Sequence, residues 1–275
     1  METGESALAG VAPEPGVAKP DPILVVEHIS RAFGGLHAVD MGRLEIQRHT
    51  ITSLIGPNGA GKTTLFNLLT GFDRADTGHW HLDGGALVGI PAYQVARRGV
   101  VRTFQLTRSL ARLTVLENVL LGATDQKGES ILGALLGAWR STERANIEKA
   151  DELLERFGLI HMRDEFAGSL SGGQRKLLEM ARALMVDPEL IMLDEPMAGV
   201  NPALTQSLLH HITALRDDGK TVVFIEHDMD VVQEISDWVV VLAQGALIAE
   251  GPPSAIAANG AVIDAYLGRH HGETA

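Results

Sequence analysis

Ile51-Thr52-Ser53-Leu54-Ile55-Gly56-Pro57-Asn58-Gly59-Ala60-Gly61-Lys62-Thr63-Thr64 is the stretch on which the fold turns. A short apolar run ends at Gly56, and beyond Thr63 the residues Leu65, Leu68 and Leu69 recur at helical spacing. The order is therefore strand, glycine-rich loop, helix. Gly56 to Thr63 fits the pattern G-x-x-x-x-G-K-[ST] of a phosphate-binding loop. The glycines Gly56, Gly59 and Gly61, with Asn58 and Ala60 between them, let the backbone wrap closely enough for its N–H groups to face phosphate oxygens. The start of the following helix adds positive potential. In that pattern Lys62 reaches the β- and γ-phosphates, the Thr63 hydroxyl holds Mg²⁺ and Thr64 adds a phosphate contact. A glycine-rich turn can match by chance, but the apolar strand before it and the periodic helix after it argue against that reading.

Working outward, ordered sequence is expected from Ile23. Strand character recurs at 23–29, 44–47, 79–83 and 100–104, and again at 190–193, 222–225, 238–242 and 246–250. Helical spacing marks 113–122, 141–157, 174–186 and 202–216, with Pro202 suited to a first helical turn. Strands alternating with helices predict an α/β fold with a mostly parallel sheet. The helical middle, about residues 106–185, reads as an insertion into that sheet. The expected division is a disordered leader over 1–22, one domain over 23–268 and a tail over 269–275.

A second constellation is Leu190-Ile191-Met192-Leu193-Asp194-Glu195, a buried strand that ends in two carboxylates. Alternation along a strand sends neighbouring side chains to opposite sides, so the pair is expected to divide its work. Asp194 suits the Mg²⁺ shell. Glu195 suits a general base, or an orienter, for attacking water. A strand end turning at Asp-Glu-Pro is the plainer alternative, and the upstream loop weighs against it.

Composition removes several classes of function. The 275 residues contain no cysteine, which excludes disulfides, thiolate chemistry and cysteine zinc sites. A net charge of -12 argues against a nucleic-acid surface, which needs clustered Lys and Arg. The longest apolar runs, such as Trp238 to Ala243, have strand length, short of the roughly 20 residues that span a bilayer. The leader lacks a basic start followed by an apolar block, so it does not read as a signal peptide. His79, His81, His210, His211, His270 and His271 have no partners at metal-ligand spacing.

What narrows a broad phosphate-loop class is Leu170-Ser171-Gly172-Gly173-Gln174, followed by a helical stretch and then, about twenty residues on, by the acidic strand. A serine and two glycines at a helix start form an anion site. This pentapeptide resembles the signature of ABC transporter ATPases, and the remaining segments follow that family's order. The resemblance covers roughly residues 23–268. It implies a P-loop NTPase core with a mostly parallel sheet, an antiparallel β subdomain and an inserted α-helical subdomain. It also implies that Ser171, Gly172, Gly173 and Gln174 meet the γ-phosphate held by a second ATPase subunit, identical or not. Gln105, ending Arg102-Thr103-Phe104-Gln105, resembles the glutamine that touches Mg²⁺ and the water. His227 resembles the histidine that contacts the γ-phosphate, and Phe33 the aromatic that stacks on adenine. Catalysis is thereby assigned to Glu195, His227, Gln105 and Lys62, with ATP and Mg²⁺ as the bound groups. Ala198-Gly199-Val200-Asn201 resembles the loop that crosses the dimer interface.

Further details are similar to the branched-chain amino acid importer ATPases: Phe33-Gly34-Gly35-Leu36, Arg102-Thr103-Phe104-Gln105, Leu113 to Val119, Glu226-His227-Asp228-Met229 and the ending Ala265-Tyr266-Leu267-Gly268. The likeness implies membrane permease partners, a solute-binding protein acting indirectly, and a peripheral location on the cytoplasmic face of the membrane. An apolar patch at 131–139 is expected either to pass motion to a permease or to serve as ordinary helical core. Lipopolysaccharide-export and urea-import ATPases share much of the pattern and stay open as alternatives, as does an ABC ATPase without a membrane partner. Long coiled-coil insertions or a second cassette would favour the last of these, and this chain has neither.

Overall fold

The computed structural model describes residues 7–103, 110–123 and 139–267. Two long strands, β1 (Pro22–Phe33) and β2 (Leu36–Gln47), pair antiparallel from Leu24↔Ile46 to Phe33↔Leu36. Gly34 and Gly35 join them with φ of 54° and 88°, the left-handed pair that a two-residue hairpin turn requires. After β3 (Ile51–Ile55) and α1 (Lys62–Leu69) come β4 (Thr77–Leu82) and β5 (Gly85–Ala86), which complete a four-stranded antiparallel sheet in the order β2-β1-β4-β5. Helix α2 (Ala92–Arg97) leads into β6 (Val100–Arg102).

Among the described residues, α3 (Val115–Leu120), α4 (Trp139–Arg156) and α5 (Gly172–Leu184) follow. A reciprocal cap starts α3. The Thr114 hydroxyl accepts the Glu117 N–H while the Glu117 carboxylate accepts the Thr114 N–H. Fully buried Asn118 then donates to the carbonyls of Leu110, Leu113 and Thr114 and accepts the Leu110 N–H, which ties the preceding turn to the helix. The chain returns through β7 (Leu190–Asp194), α6 (Pro202–Asp217), β8 (Thr221–Ile225), α7 (Met229–Ile235), β9 (Trp238–Ala243) and β10 (Ala246–Gly251). Two short helices, α8 (Pro253–Ala257) and α9 (Gly260–Leu267), end the described chain.

The second sheet has the strand order β10-β9-β3-β8-β7-β6. Its pairs are parallel except β9 with β10. Neighbouring strands β6 and β7 are joined through the helical segment, so that segment is one long crossover between adjacent strands. Both faces of the sheet are covered, as a parallel sheet requires. Ile191 and Leu193 pack on the face shared with α5 and α6, whereas Leu190 and Met192 pack on the face shared with α1 and the antiparallel sheet.

The leader corrects an expectation. It is ordered from residue 7, and Leu8 is buried in the core beneath the antiparallel sheet. The Lys19 ammonium lies 2.6 Å from the Glu250 carboxylate and 4.3 Å above the Trp238 ring. Glu250 also accepts the N–H groups of Gly16, Val17 and the Trp238 indole. Glu45 accepts the Lys19 N–H at 2.6 Å. Two buried carboxylates from distant strands therefore clamp a segment whose Gly, Pro and Ala content reads as disorder. Residues 1–6, and the tail from 268, lie outside the described residues.

Candidate functional site

Parallel register brings the sequence-distant segments to one edge. Leu54 pairs with Ile225, and Ile225 with Asp194, so β3, β8 and β7 end side by side. The next residues in the chain are Gly56, Glu226-His227 and Glu195. The carboxyl edge of such a sheet is where ligands bind in open α/β folds.

The glycines of the loop are demanded by close packing. A Cβ on Gly56 would lie 2.1 Å from the Leu242 carbonyl oxygen, and one on Gly61 would lie 2.1 Å from that of Ala38. Both residues also have positive φ, at 146° and 101°. The loop is thus pressed between β9 and the end of the β1–β2 hairpin, with Asn58 and Gly59 exposed at its tip. Gly61 is the N-cap of α1 and provides no side-chain cap, so the helix start faces the loop's interior with its N–H groups uncapped by a side chain. Lys62 is buried and donates to the carbonyls of Gly56 at 2.5 Å and Pro57 at 3.1 Å, while Thr63 and Thr64 follow in the first turn. Burial pushes the Tyr266 phenol above its ordinary value, against an opposing hydrogen bond from the Gly56 backbone, which sets α9 beside the loop.

Asp194 ends β7 with its side chain 4% exposed. Its Oδ2 accepts from Arg102 at 2.6 Å, and the same guanidinium donates to Asn67 on α1 at 2.6 Å. Glu195 follows at φ 47°, a left-handed conformation costing on the order of 1–3 kcal/mol for a non-glycine residue. Simple alternation along the strand therefore does not separate the two carboxylates. The strand ends at Asp194, and a left-handed turn carries Glu195 across to β8. There Glu195 Oε1 stands 2.7 Å from His227 Nε2, and the Glu195 N–H donates to the Ile225 carbonyl at 3.1 Å. Buried Glu226 accepts the N–H groups of Met197 and His227. Its carboxyl is held above the usual range mainly by desolvation.

Ser171 is the N-cap of α5 in a reciprocal cap with Gln174: the Ser171 hydroxyl accepts at 3.3 Å and the Gln174 side chain accepts at 2.9 Å. Ser171 and Gly172 are exposed, whereas a Cβ on Gly173 would lie 1.5 Å from a Leu204 methyl of α6. Phe33, 48% exposed, sits at the hairpin end beneath the Arg31 guanidinium at 4.5 Å. Gln105 lies outside the described residues, as does nearly all of the 131–139 patch.

Among the described residues no group of three or more His, Cys, Asp or Glu side chains converges to hold a metal unaided. What the site offers is a Thr63 hydroxyl and an Asp194 carboxylate. That set fits Mg²⁺, which takes one or two protein oxygens and completes its shell with phosphate and water. Asn67 was not singled out from the sequence, and Arg102 and Glu226 figured there only as members of the motifs ending in Gln105 and beginning before His227, without roles of their own.

A phosphate-loop helix, an acidic strand end and a serine–glycine helix start on a helical insertion together define a nucleotide-binding ATPase cassette. Residues 39–198 match the ABC transporter family, and the chain belongs to it as an ATP-hydrolysing cassette. Residues 246–272 also match the family described as branched-chain amino acid ATP-binding cassette transporter. The high-affinity branched-chain amino acid transport ATP-binding protein BraF of Pseudomonas aeruginosa is 44% identical, over 90% of this chain and 98% of its own length. A probable branched-chain amino acid transport ATP-binding protein, LivG, of Archaeoglobus fulgidus is 41% identical, over 91% and 97%. The crystal structure of a nucleotide-free ATP-binding cassette from an ABC transporter superposes with a TM-score of 0.78 at 38% identity, covering 90% of this chain and 99% of that one. An ADP-conformation cassette gives a TM-score of 0.77 at 38% identity with the same coverage.

Proposed function

We propose that this chain powers uptake of branched-chain or related amino acids. On this reading it works as an ATPase dimer docked on permease subunits at the cytoplasmic face of the membrane and serves a solute-binding protein indirectly. The substrate class is supported by the names of the relatives and by the matched C-terminal family. The hydrolytic role is carried by one observation, the 2.7 Å contact between Glu195 and His227 at the end of the strand that bears Asp194.

In this reading Lys62 turns from the loop carbonyls to the β- and γ-phosphates of ATP, and the N–H groups at the start of α1 hold the same oxygens. Phe33 stacks on adenine. Thr63, Asp194 and Gln105 would hold Mg²⁺, which would offset phosphate charge. Glu195 accepts the proton of the attacking water, or orients it, while His227 fixes the carboxylate and faces the γ-phosphate. Ser171, Gly172 and Gly173, with Gln174 supporting their cap, serve the nucleotide of the opposite subunit. Loss of the γ-phosphate then opens the interface.

A groove of about 820 Å³ runs between α2, β6, α3 and α5. Phe72, Tyr93 and Leu121 line it with 53%, 61% and 54% of their surfaces exposed. Apolar side chains exposed in a concave site suit an inserted helix, and we assign the permease contact there. The test of the whole reading is Glu195→Gln. It should bind ATP normally, lose turnover and accumulate an ATP-bound dimer; near-normal hydrolysis would remove Glu195 from this role.

A further inference from the structure

Lys176 lies one turn into α5, five residues after Ser171. Its ammonium donates to the carbonyls of Glu195 at 3.2 Å, Pro196 at 2.7 Å and Ala198 at 2.6 Å. An ammonium has three protons, and all three are directed at one short stretch of backbone. That stretch contains the left-handed Glu195. On its other side the Glu195 N–H is tied to β8 through Ile225, and the Met197 N–H is tied to Glu226. The turn from 195 to 198 is thus gripped from both flanks, by the sheet and by the signature helix. The groups facing Lys176 are Glu226, Glu179 and Glu195, whose charges oppose the desolvation that lowers its pKa.

We infer that Lys176 is a positioning residue for hydrolysis. It fixes the backbone that carries Glu195, and it couples that backbone to the helix whose first residues, Ser171 to Gly173, meet the partner's nucleotide. The helical insertion then cannot rotate without moving the turn at 195–198. Closure over one nucleotide is in this way linked, inside a single chain, to the alignment of the carboxylate at the other. The inference rests on the reading of Glu195 as the group that orients water. It explains how a strained conformation is held in place, because Lys176 bonds to the carbonyls of the turn itself.

Lys176→Met keeps the aliphatic stem and removes the donors. In the full-length protein assembled with its partners, kcat for ATP should fall on the order of 10- to 100-fold while KM stays within about threefold. Lys176→Arg, which retains charge and donors, should recover most of kcat. In a Glu195→Gln background, Lys176→Met should cause no further loss in residual turnover, because it acts through Glu195. A wild-type kcat for Lys176→Met beside an inactive Glu195→Gln would overturn the inference alone. An active Glu195→Gln would overturn the reading beneath it. A fall in kcat that Arg fails to rescue, or one that adds fully to Glu195→Gln, would show a structural lysine and likewise defeat the inference.

Discussion

Arg102 and Asp194, 92 residues apart, meet in a 2.6 Å ion pair with each side chain only 4% exposed. The guanidinium also reaches Asn67 on α1 and lies 5.5 Å from the Phe66 ring centroid. One arginine at the end of β6 therefore joins the acidic strand to the helix that follows the phosphate loop. Removing one partner of a buried pair leaves an uncompensated charge and costs about 3–5 kcal/mol. Arg102→Ala should lose that much in urea unfolding, whereas a loss below about 1 kcal/mol would show the pair to be incidental.

Steric demand at the loop gives a sharper contrast. Gly61→Ala drives a methyl into the Ala38 carbonyl at a backbone φ of 101°. It should abolish nucleotide binding in a titration with a fluorescent ATP analogue and lower Tm. Gly42→Ala on β2 has nothing within 4 Å of the new methyl, and its stability should stay within about 0.5 kcal/mol of the parent. Equal tolerance at both positions would contradict the packing described for the loop.

Buried charge also ties down the leader. Lys19→Met strands the Glu250 carboxylate, which is completely buried, and should cost about 3–5 kcal/mol. Adding Glu250→Gln should return part of that loss, since the two residues share one interaction. Urea unfolding of the two single variants and the double variant measures the coupling, and strictly additive losses would argue against a clamp.

Glu226 makes stability depend on pH in an uncommon direction. Its folded pKa is raised above 4.5, chiefly by desolvation. From 4.5 up to that raised value the folded state binds more protons than the unfolded chain, so this group loses stability as pH rises. Its favourable contribution is fully present below 4.5 and gone above the folded pKa. Glu226→Gln removes that slope. The stability of the variant relative to the parent should therefore be higher at pH 7 than at pH 5, and an unchanged difference would contradict the raised pKa.

Much of this fold was legible because its signals are local. The glycines before Lys62 and the apolar run before Asp194 report their backbone directly, since loop curvature and strand burial are set by neighbours in the chain. The leader was misread for the opposite reason. Residues 16–19 are held by Glu250 and Glu45, and a separation of 231 residues between Lys19 and Glu250 leaves no trace in composition. Alternation was expected to send the Asp194 and Glu195 side chains apart, and they do go to different partners, Arg102 and His227. Alternation looked sufficient, whereas a left-handed turn at Glu195 does the work.

By itself, the amino-acid sequence determined the class of this protein. The strand–loop–helix at 51–69, the acidic strand end and the serine–glycine start of α5 are spacing patterns within short windows, and short windows are what covalent order preserves. Tertiary structure alone decided which side chains touch: His227 on Glu195, Arg102 on Asp194, Lys176 on the turn at 195–198, and Lys19 on Glu250. Each contact joins separate elements through parallel register or buried charge. Such pairings are selected by the energy of the packed whole, in which a desolvated charge must find its partner wherever the chain has placed it.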